Sequence, residues 1–295
     1  MFTGSLVALI TPMEPDGGLA LKAFDRLVDW HLDSGTDGVV VGGTTGESAT
    51  LSADETIFLV KRTVERIKGR IPVIAGSGTN CTATAVDRSL QMANAGANAC
   101  LVVTPYYNKP GQEGLYQHYR AIEKDCPVPL LLYNVPGRTC CDLLPETVAR
   151  LAELDGIVGI KEATAGEQRA RQIRELCGAG FIILSGDDQS SLDCIEAGAE
   201  GVVSVTANLA PELVSQMCKH ARSGNMDEAR KIDEQLSLLN RDLFVEANPI
   251  PAKWALHRMG LTPEGLRLPL TPLAPANHEI VALAMEHAGI HGVNE

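Results

Sequence analysis

Eight short runs of apolar, mostly β-branched residues punctuate the chain, at positions 6–10, 38–42, 71–75, 99–104, 129–134, 157–161, 181–185 and 201–205. Most show no polar alternation, which is the pattern of strands buried on both faces of a parallel sheet. Between them the apolar residues return with helical spacing, as at 53–68 and 82–95. Ser52, with Glu55 three positions on, opens the first of these as a capping box. Gly-rich breaks at Asn94-Ala95-Gly96-Ala97 and Ala197-Gly198-Ala199 end helices and lead into the next run.

Eight strands, each followed by a helix, within roughly 220 residues predict an α/β protein of the (β/α)8 barrel type. A doubly wound sheet is the alternative, but it needs fewer strands and a switch point. After Leu209 the chain reads helical to its end, with breaks at Asn248-Pro249-Ile250-Pro251 and Leu268-Pro269. The expected organisation is a barrel over 1–222 with a C-terminal helical region, 223–295, packed on it.

Composition narrows the function classes. The 295 residues are 45% hydrophobic, enough for one large core. A net charge of −12 argues against nucleic acid as a partner. The eight cysteines form no C-x-x-C and no zinc-type spacing, and Cys140-Cys141 are adjacent, which disfavours a mutual bridge. Small reduced residues of a cytoplasmic protein are the expectation. Met1-Phe2-Thr3-Gly4-Ser5 does not read as a signal peptide, and no apolar run approaches the roughly 20 residues of a membrane span.

In a barrel the carboxyl ends of the strands gather residues distant in sequence. The sixth run ends in Lys161, at the end of a buried strand. Desolvation lowers the pKa of such an amine and favours the neutral nucleophile, which attacks carbonyls to form a Schiff base. A structural ion pair is the alternative. The second run ends in Gly43-Thr44-Thr45-Gly46-Glu47, which lacks the Gly-Lys-Ser/Thr of a Walker loop. Its backbone N–H groups and the hydroxyls of Thr44 and Thr45 suit a carboxylate; a plain tight turn is the alternative. Tyr133 needs a proton partner, which a hydroxyl relay through Thr44 to Tyr107 supplies. Arg138 suits a bidentate grip on a carboxylate, with a surface ion pair as its alternative. At Asp187-Asp188 one carboxylate is expected to cap the next helix rather than bind metal. No histidine lies at a predicted strand end, which counts against a zinc-dependent aldolase. His31, His118, His220 and His257 fall on predicted helices and are expected to be solvated or partly buried.

Four segments carry a family resemblance: Gly42-Gly43-Thr44-Thr45-Gly46-Glu47-Ser48, Thr104-Pro105-Tyr106-Tyr107-Asn108, Leu132-Tyr133-Asn134-Val135-Pro136-Gly137-Arg138-Thr139 and Gly159-Ile160-Lys161-Glu162-Ala163. Together they resemble the pyruvate-dependent class I aldolases, and within them the branch that condenses pyruvate with aspartate semialdehyde on the way to diaminopimelate and lysine. The resemblance runs from Gly4-Ser5 to about Leu273. It implies a Schiff base between Lys161 and pyruvate, and a relay of Tyr133, Thr44 and Tyr107, the last reaching in from a neighbouring subunit. It further implies that Thr45 and its backbone neighbours hold the pyruvate carboxylate, that Arg138 holds the second substrate, and that the Val203 carbonyl lies near Lys161. No cofactor and no metal are implied, and the assembly is expected to be a homotetramer, a dimer of dimers.

The nearest alternatives are N-acetylneuraminate lyase or a 2-keto-3-deoxy sugar acid aldolase of the same family. Arg138 and the paired Thr44-Thr45 favour the condensation, since sugar acids need more hydroxyl partners. A non-catalytic keto-acid sensor is a third possibility. Lysine-sensitive members use residues matching Ser48, Ala49, Asn80 and Tyr106, all present here. They also use a carboxylate at the place of Thr84 and histidines at Ala53 and Thr56, all absent. The resemblance therefore implies weak or no feedback by lysine.

Overall fold

The computed structural model describes residues 2–291; Met1 and residues 292–295, the first of the expected barrel and the last four of the expected C-terminal region, lie outside the described residues. Eight parallel strands close into a barrel in sequence order. They are β1 (Gly4–Ala8), β2 (Gly38–Val41), β3 (Val73–Gly76), β4 (Ala99–Val103), β5 (Leu130–Asn134), β6 (Ile157–Glu162), β7 (Ile182–Ser185) and β8 (Gly201–Ser204). The helices are α1 (Leu21–Asp33), α2 (Ala53–Ile67), α3 (Thr82–Asn94), α4 (Gln112–Asp125), α5 (Pro136–Thr139), α6 (Pro145–Ala152), α7 (Gln168–Cys177), α8 (Ser191–Glu196), α9 (Pro211–Arg222), α10 (Met226–Asp242), α11 (Ile250–Arg258) and α12 (Pro275–His287). This is the (β/α)8 barrel that the eight apolar runs predict, and a doubly wound sheet is excluded by closure between β1 and β8.

The strand edges differ from expectation where a side chain or a proline ends the ladder. β1 stops at Ala8 although Leu9 and Ile10 are buried. Asn208 takes over there: its Oδ1 accepts from Ile10 N at 3.0 Å, and its Nδ2 donates to Ala8 O at 2.8 Å. β3 begins only at Val73, because Pro72 has no N–H to give; its carbonyl still accepts from Val39 N at 3.0 Å. The capping box of α2 is present, with Ser52 and Glu55 exchanging hydrogen bonds of 2.8 and 3.1 Å.

Two cores follow from strand alternation. Inside the barrel sit Leu6, Val40, Ile74, Leu131, Leu184 and Val203 with their neighbours. Between strands and helices lies a second, larger core that includes Val39, Val41, Leu130, Leu132 and Ile160. α9 packs closely on α10, so the proposed boundary at 222/223 falls in a turn between touching helices. α10 in turn lies against α12. Among the described residues no helix is long and apolar enough to cross a membrane. All eight cysteines are unpaired thiols.

Candidate active site

Lys161 reaches the barrel interior through an irregularity that alternation does not foretell. β5 and β6 run in register from Leu130↔Ile157 to Leu131↔Gly159, so Val158 is an extra residue in β6. Strict alternation from Ile157, which belongs to the outer core, would place Lys161 outside as well. The bulge reverses the parity: Ile160 joins the outer core and Lys161 turns inward. There its Nζ lies 4.4 Å from the centroid of the Tyr133 ring, its partner across the ladder. Both residues are 6% exposed. Among the described residues the Lys161 amine makes no hydrogen bond and no ion pair, so the structural ion pair is not what this lysine is for. Gly186, at the end of β7, makes the room: a Cβ there would stand 2.8 Å from Lys161 Cε and 3.1 Å from its Cγ.

The glycine loop after β2 forms the neighbouring wall. Gly42 has φ +66°, and a Cβ on it would meet Thr56 Cγ2 at 2.8 Å, so only glycine fits. Thr44 and Tyr133 line one cavity together, but neither hydroxyl donates or accepts a hydrogen bond among the described residues. Thr45 is buried and accepts from Asn248 Nδ2 at 2.9 Å. Glu47 closes the loop in the left-handed region, at φ +58°, and is buried. Its carboxylate takes a hydrogen bond from Lys253 Nζ on α11 and another from Arg267 N at 3.2 Å. Burial pushes the Lys253 ammonium below the usual lysine range, while Glu47 pulls against that shift.

Arg138, on the short α5, donates to Asn248 O at 3.4 Å and makes no ion pair among the described residues. It lines a cavity of about 320 Å³ with Thr44, Thr139 and Asn248. Asn248 therefore joins the two halves of the mouth, one end on Thr45 and the other on Arg138. Its Oδ1 is buried without a partner. Tyr107 is not gathered in: it is 90% exposed, sits at φ +74° and lines neither cavity. Val203 lies in the interior core, paired in register with Leu6.

Several residues of the site carry no strand-end signal in sequence. Glu47 stands out in the sequence only as part of a motif, and Asn248, Lys253 and Arg267 lie some 200 residues further along, in the helical C-terminal region. Behind the wall, Asn134 Nδ2 donates to Glu162 at 3.1 Å and to Asp142 Oδ1 at 2.8 Å, and Arg169 pairs with Asp142 at 2.9 Å. Burial raises the Glu162 carboxyl above the usual range. This layer buttresses the outer face of β5 and β6 where Tyr133 and Lys161 point inward.

Two expectations are corrected. Neither aspartate caps α8, whose N-cap is Ser190 without a side-chain cap. Asp187 instead accepts from Ser190 Oγ at 2.6 Å, and buried Asp188 accepts from Val205 N at 2.8 Å and Thr206 N at 3.2 Å, tying β7 to β8. His31 and His118 are not solvated: they are 0% and 4% exposed, because they lie on the helix faces that pack against the barrel. Burial pushes their imidazoles down to about 3 and about 4 respectively.

A buried amine held over a phenol at the mouth of a parallel eight-stranded barrel is the chemistry of the lysine-dependent aldolases, and the protein is a lyase of that class. The chain belongs to the dihydrodipicolinate synthetase family, whose model matches residues 1–288. It is 53% identical over 290 residues to a 4-hydroxy-tetrahydrodipicolinate synthase of Methylococcus capsulatus, covering 98% of this chain and 100% of that one. Among solved structures it resembles the chloride-inhibited dihydrodipicolinate synthase of Acinetobacter baumannii complexed with pyruvate, with TM-score 0.97, 46% identity, and coverage of 98% of this chain and 100% of that one. The enzyme of Cyanidioschyzon merolae with lysine bound is similar at TM-score 0.94 and 38% identity, over 98% of this chain and 99% of that one.

Proposed function

We propose that the protein condenses pyruvate with L-aspartate 4-semialdehyde to 4-hydroxy-tetrahydrodipicolinate, with Lys161 as the Schiff-base nucleophile. The observation that carries this is the buried Lys161 amine, uncommitted to any carboxylate among the described residues and held over the ring of Tyr133, which lines a cavity with Thr44. The amine adds to the pyruvate ketone and water leaves, giving an iminium. The cationic nitrogen makes a methyl proton acidic, and its loss leaves an enamine. The enamine carbon attacks the aldehyde, whose oxygen takes up a proton. The substrate's own amine then attacks the iminium carbon, which closes the ring and releases Lys161.

Each proton needs a carrier, and Tyr133 and Thr44 line the cavity beside the amine. Tyr107 completes the relay from a neighbouring subunit. What supports this is an exposed phenol on a non-glycine residue held in the left-handed region, a conformation that costs energy unless contacts elsewhere hold it. The assembly is a homotetramer, built as a dimer of dimers, in the cytoplasm. Thr45 with its loop holds the pyruvate carboxylate, Arg138 holds that of the semialdehyde, and the Val203 carbonyl lies near Lys161.

Turnover of pyruvate with aspartate semialdehyde, beside pyruvate with N-acetylmannosamine, tests the assignment; product only from the second pair would overturn it. Borohydride with pyruvate should add one adduct per chain, at Lys161. A sensor without this chemistry takes no label. Lysine should inhibit weakly or not at all, since the loss of one charged contact weakens binding by about 1.5–3 kcal/mol; saturable inhibition well below about 1 mM would contradict the reading of Ala53, Thr56 and Thr84.

A further inference from the structure

The end of the barrel away from Lys161 carries a pair of thiols that the proposed reaction does not use. Cys100 is the second residue of β4, and α4 ends at Cys126, just before β5. The connection Cys126-Pro127-Val128-Pro129 is held at both ends. Cys126 N donates to Ile122 O at 3.0 Å, and Pro129 O accepts from Cys100 N at 2.9 Å. A proline restricts the residue before it to extended backbone, and Cys126 has φ −87° and ψ 118°. Both cysteines are thereby fixed against the same outer core, Cys100 fully buried and Cys126 half-buried at its edge. Cys100 Sγ donates to Ser89 O at 3.6 Å and Cys126 Sγ to Val128 O at 3.4 Å. The two thiols also lie close enough to share a proton. That sharing holds the Cys126 thiol below the usual range, while Cys126 and burial push Cys100 above it.

We propose that Cys100 and Cys126 are a peroxide-responsive dithiol, with Cys126 attacking and Cys100 resolving, whose disulfide staples β4 to the end of α4. Exposure assigns the roles: an oxidant reaches half-buried Cys126 and not Cys100, which is 0% exposed. The Cys126 thiolate attacks one oxygen of a hydroperoxide, the O–O bond breaks, and the other oxygen leaves as an alkoxide or hydroxide that takes up a proton. Cys126 is then a sulfenic acid. The Cys100 sulfur attacks it, the S–O bond breaks, and hydroxide departs with the Cys100 proton as water. The sulfur pair has lost two electrons and the peroxide has gained them. An external dithiol returns them by exchange, as expected for a transient bridge in a reducing compartment. The bridge closes a loop of about 25 residues that holds all of α4, so it restrains the unfolded chain. It lies at the starts of the strands, whereas Lys161 lies at their carboxyl ends, so turnover is left as it is.

Reduced full-length protein given a small excess of hydrogen peroxide, then alkylated and digested without reductant, should yield one peptide pair joined through Cys100 and Cys126. Dithiothreitol should release it. Oxidation should raise Tm by about 3–8 °C in the wild type and not in Cys126→Ser, with turnover equal to that of the reduced protein. Cys100→Ala should accumulate a sulfenic acid at Cys126 that dimedone labels, and Cys126→Ser should leave Cys100 unlabelled. Sulfinic acid at Cys126 of the wild type without the joined peptides, or joining only in denaturant, would overturn the pair. Faster oxidation at exposed Cys81 or Cys140 would overturn Cys126 as the peroxide-reactive thiol. A joined protein that melts no higher, or that turns over more slowly, would overturn the staple.

Discussion

The inner wall of the barrel mouth and the roof over it each bury a lysine, and the two are treated in opposite ways. In the wall, Lys161 faces a phenol ring and has no anionic partner among the described residues. In the roof, Lys253 is equally buried and is matched to the buried carboxylate of Glu47. A charge removed from water is costly unless paired. The roof meets that cost with an ion pair, which fixes the loop carrying Thr44 and Thr45 to α11. The wall leaves the amine uncommitted and ready for a carbonyl. One lysine holds structure, and the other is the one we propose does the chemistry.

Exchange of each lysine for methionine breaks the comparison most directly. Lys161→Met should lower turnover by roughly a thousandfold or more, as expected for loss of a covalent nucleophile. Its stability should change little, because no partner is stranded; a cooperative melt close to wild type, with no pyruvate adduct, is the expected result. Lys253→Met leaves Glu47 buried and unpaired, which should cost about 3–5 kcal/mol. The double variant Lys253→Met, Glu47→Gln should recover part of that loss. Denaturant unfolding measures all three, and a Lys253→Met variant as stable as wild type would dissolve the contrast.

The difference also shows what the sequence makes legible. The wall is readable because strand ends of a barrel converge: Lys161, Tyr133, Thr44, Thr45 and Arg138 each stand at or just after an apolar run. The bulge at Val158 is not readable, since a five-residue apolar run has no visible parity, yet it decides which way Lys161 points. The roof is illegible for another reason. Asn248, Lys253 and Arg267 lie in helical or irregular chain whose contacts are set by how the C-terminal region folds back over the mouth, and no local period encodes that. His31 and His118 mislead in the same way, because burial of a helical histidine depends on which face meets the barrel.

Gly186→Ala sharpens the wall's side of the comparison. A methyl group 2.8 Å from Lys161 Cε and from Ala163 Cβ must displace the lysine stem. Overpacking of this kind costs about 1–3 kcal/mol. Borohydride trapping should slow markedly, because a nucleophile moved by a fraction of an ångström loses its attack geometry. Trapping at the wild-type rate would show that the stem relaxes freely. Arg138→Ala tests the seam between wall and roof, and should cost about 1.5–3 kcal/mol in kcat/KM for aspartate semialdehyde. Pyruvate trapping should persist, and an equal loss with both substrates would point to misfolding.

The smallest effect belongs to the outermost strap of the roof. Arg267 donates to Glu55 at 2.5 and 2.8 Å, and to the carbonyls of Thr50 and Gly17 at 2.9 Å each, so it ties the segment before α12 to the start of α2. Both side chains remain about a quarter exposed, so the pair is worth under about 1 kcal/mol. The Arg267 hydrogen bonds hold the Glu55 carboxyl down to about 2, against an ordinary value of 4.5. A folded-state pKa below the unfolded one means that the stabilisation is complete above pH 4.5 and disappears as pH falls through about 2. Glu55→Gln removes the charge and keeps the capping box, because glutamine also serves at that position. The variant should therefore be slightly less stable than wild type at pH 7, and the two stability curves should converge as pH falls from 4.5 towards 2. A deficit that persists unchanged to pH 2 would show that the strap works through shape and hydrogen bonding, and that charge pairing in the roof ends at Glu47 and Lys253.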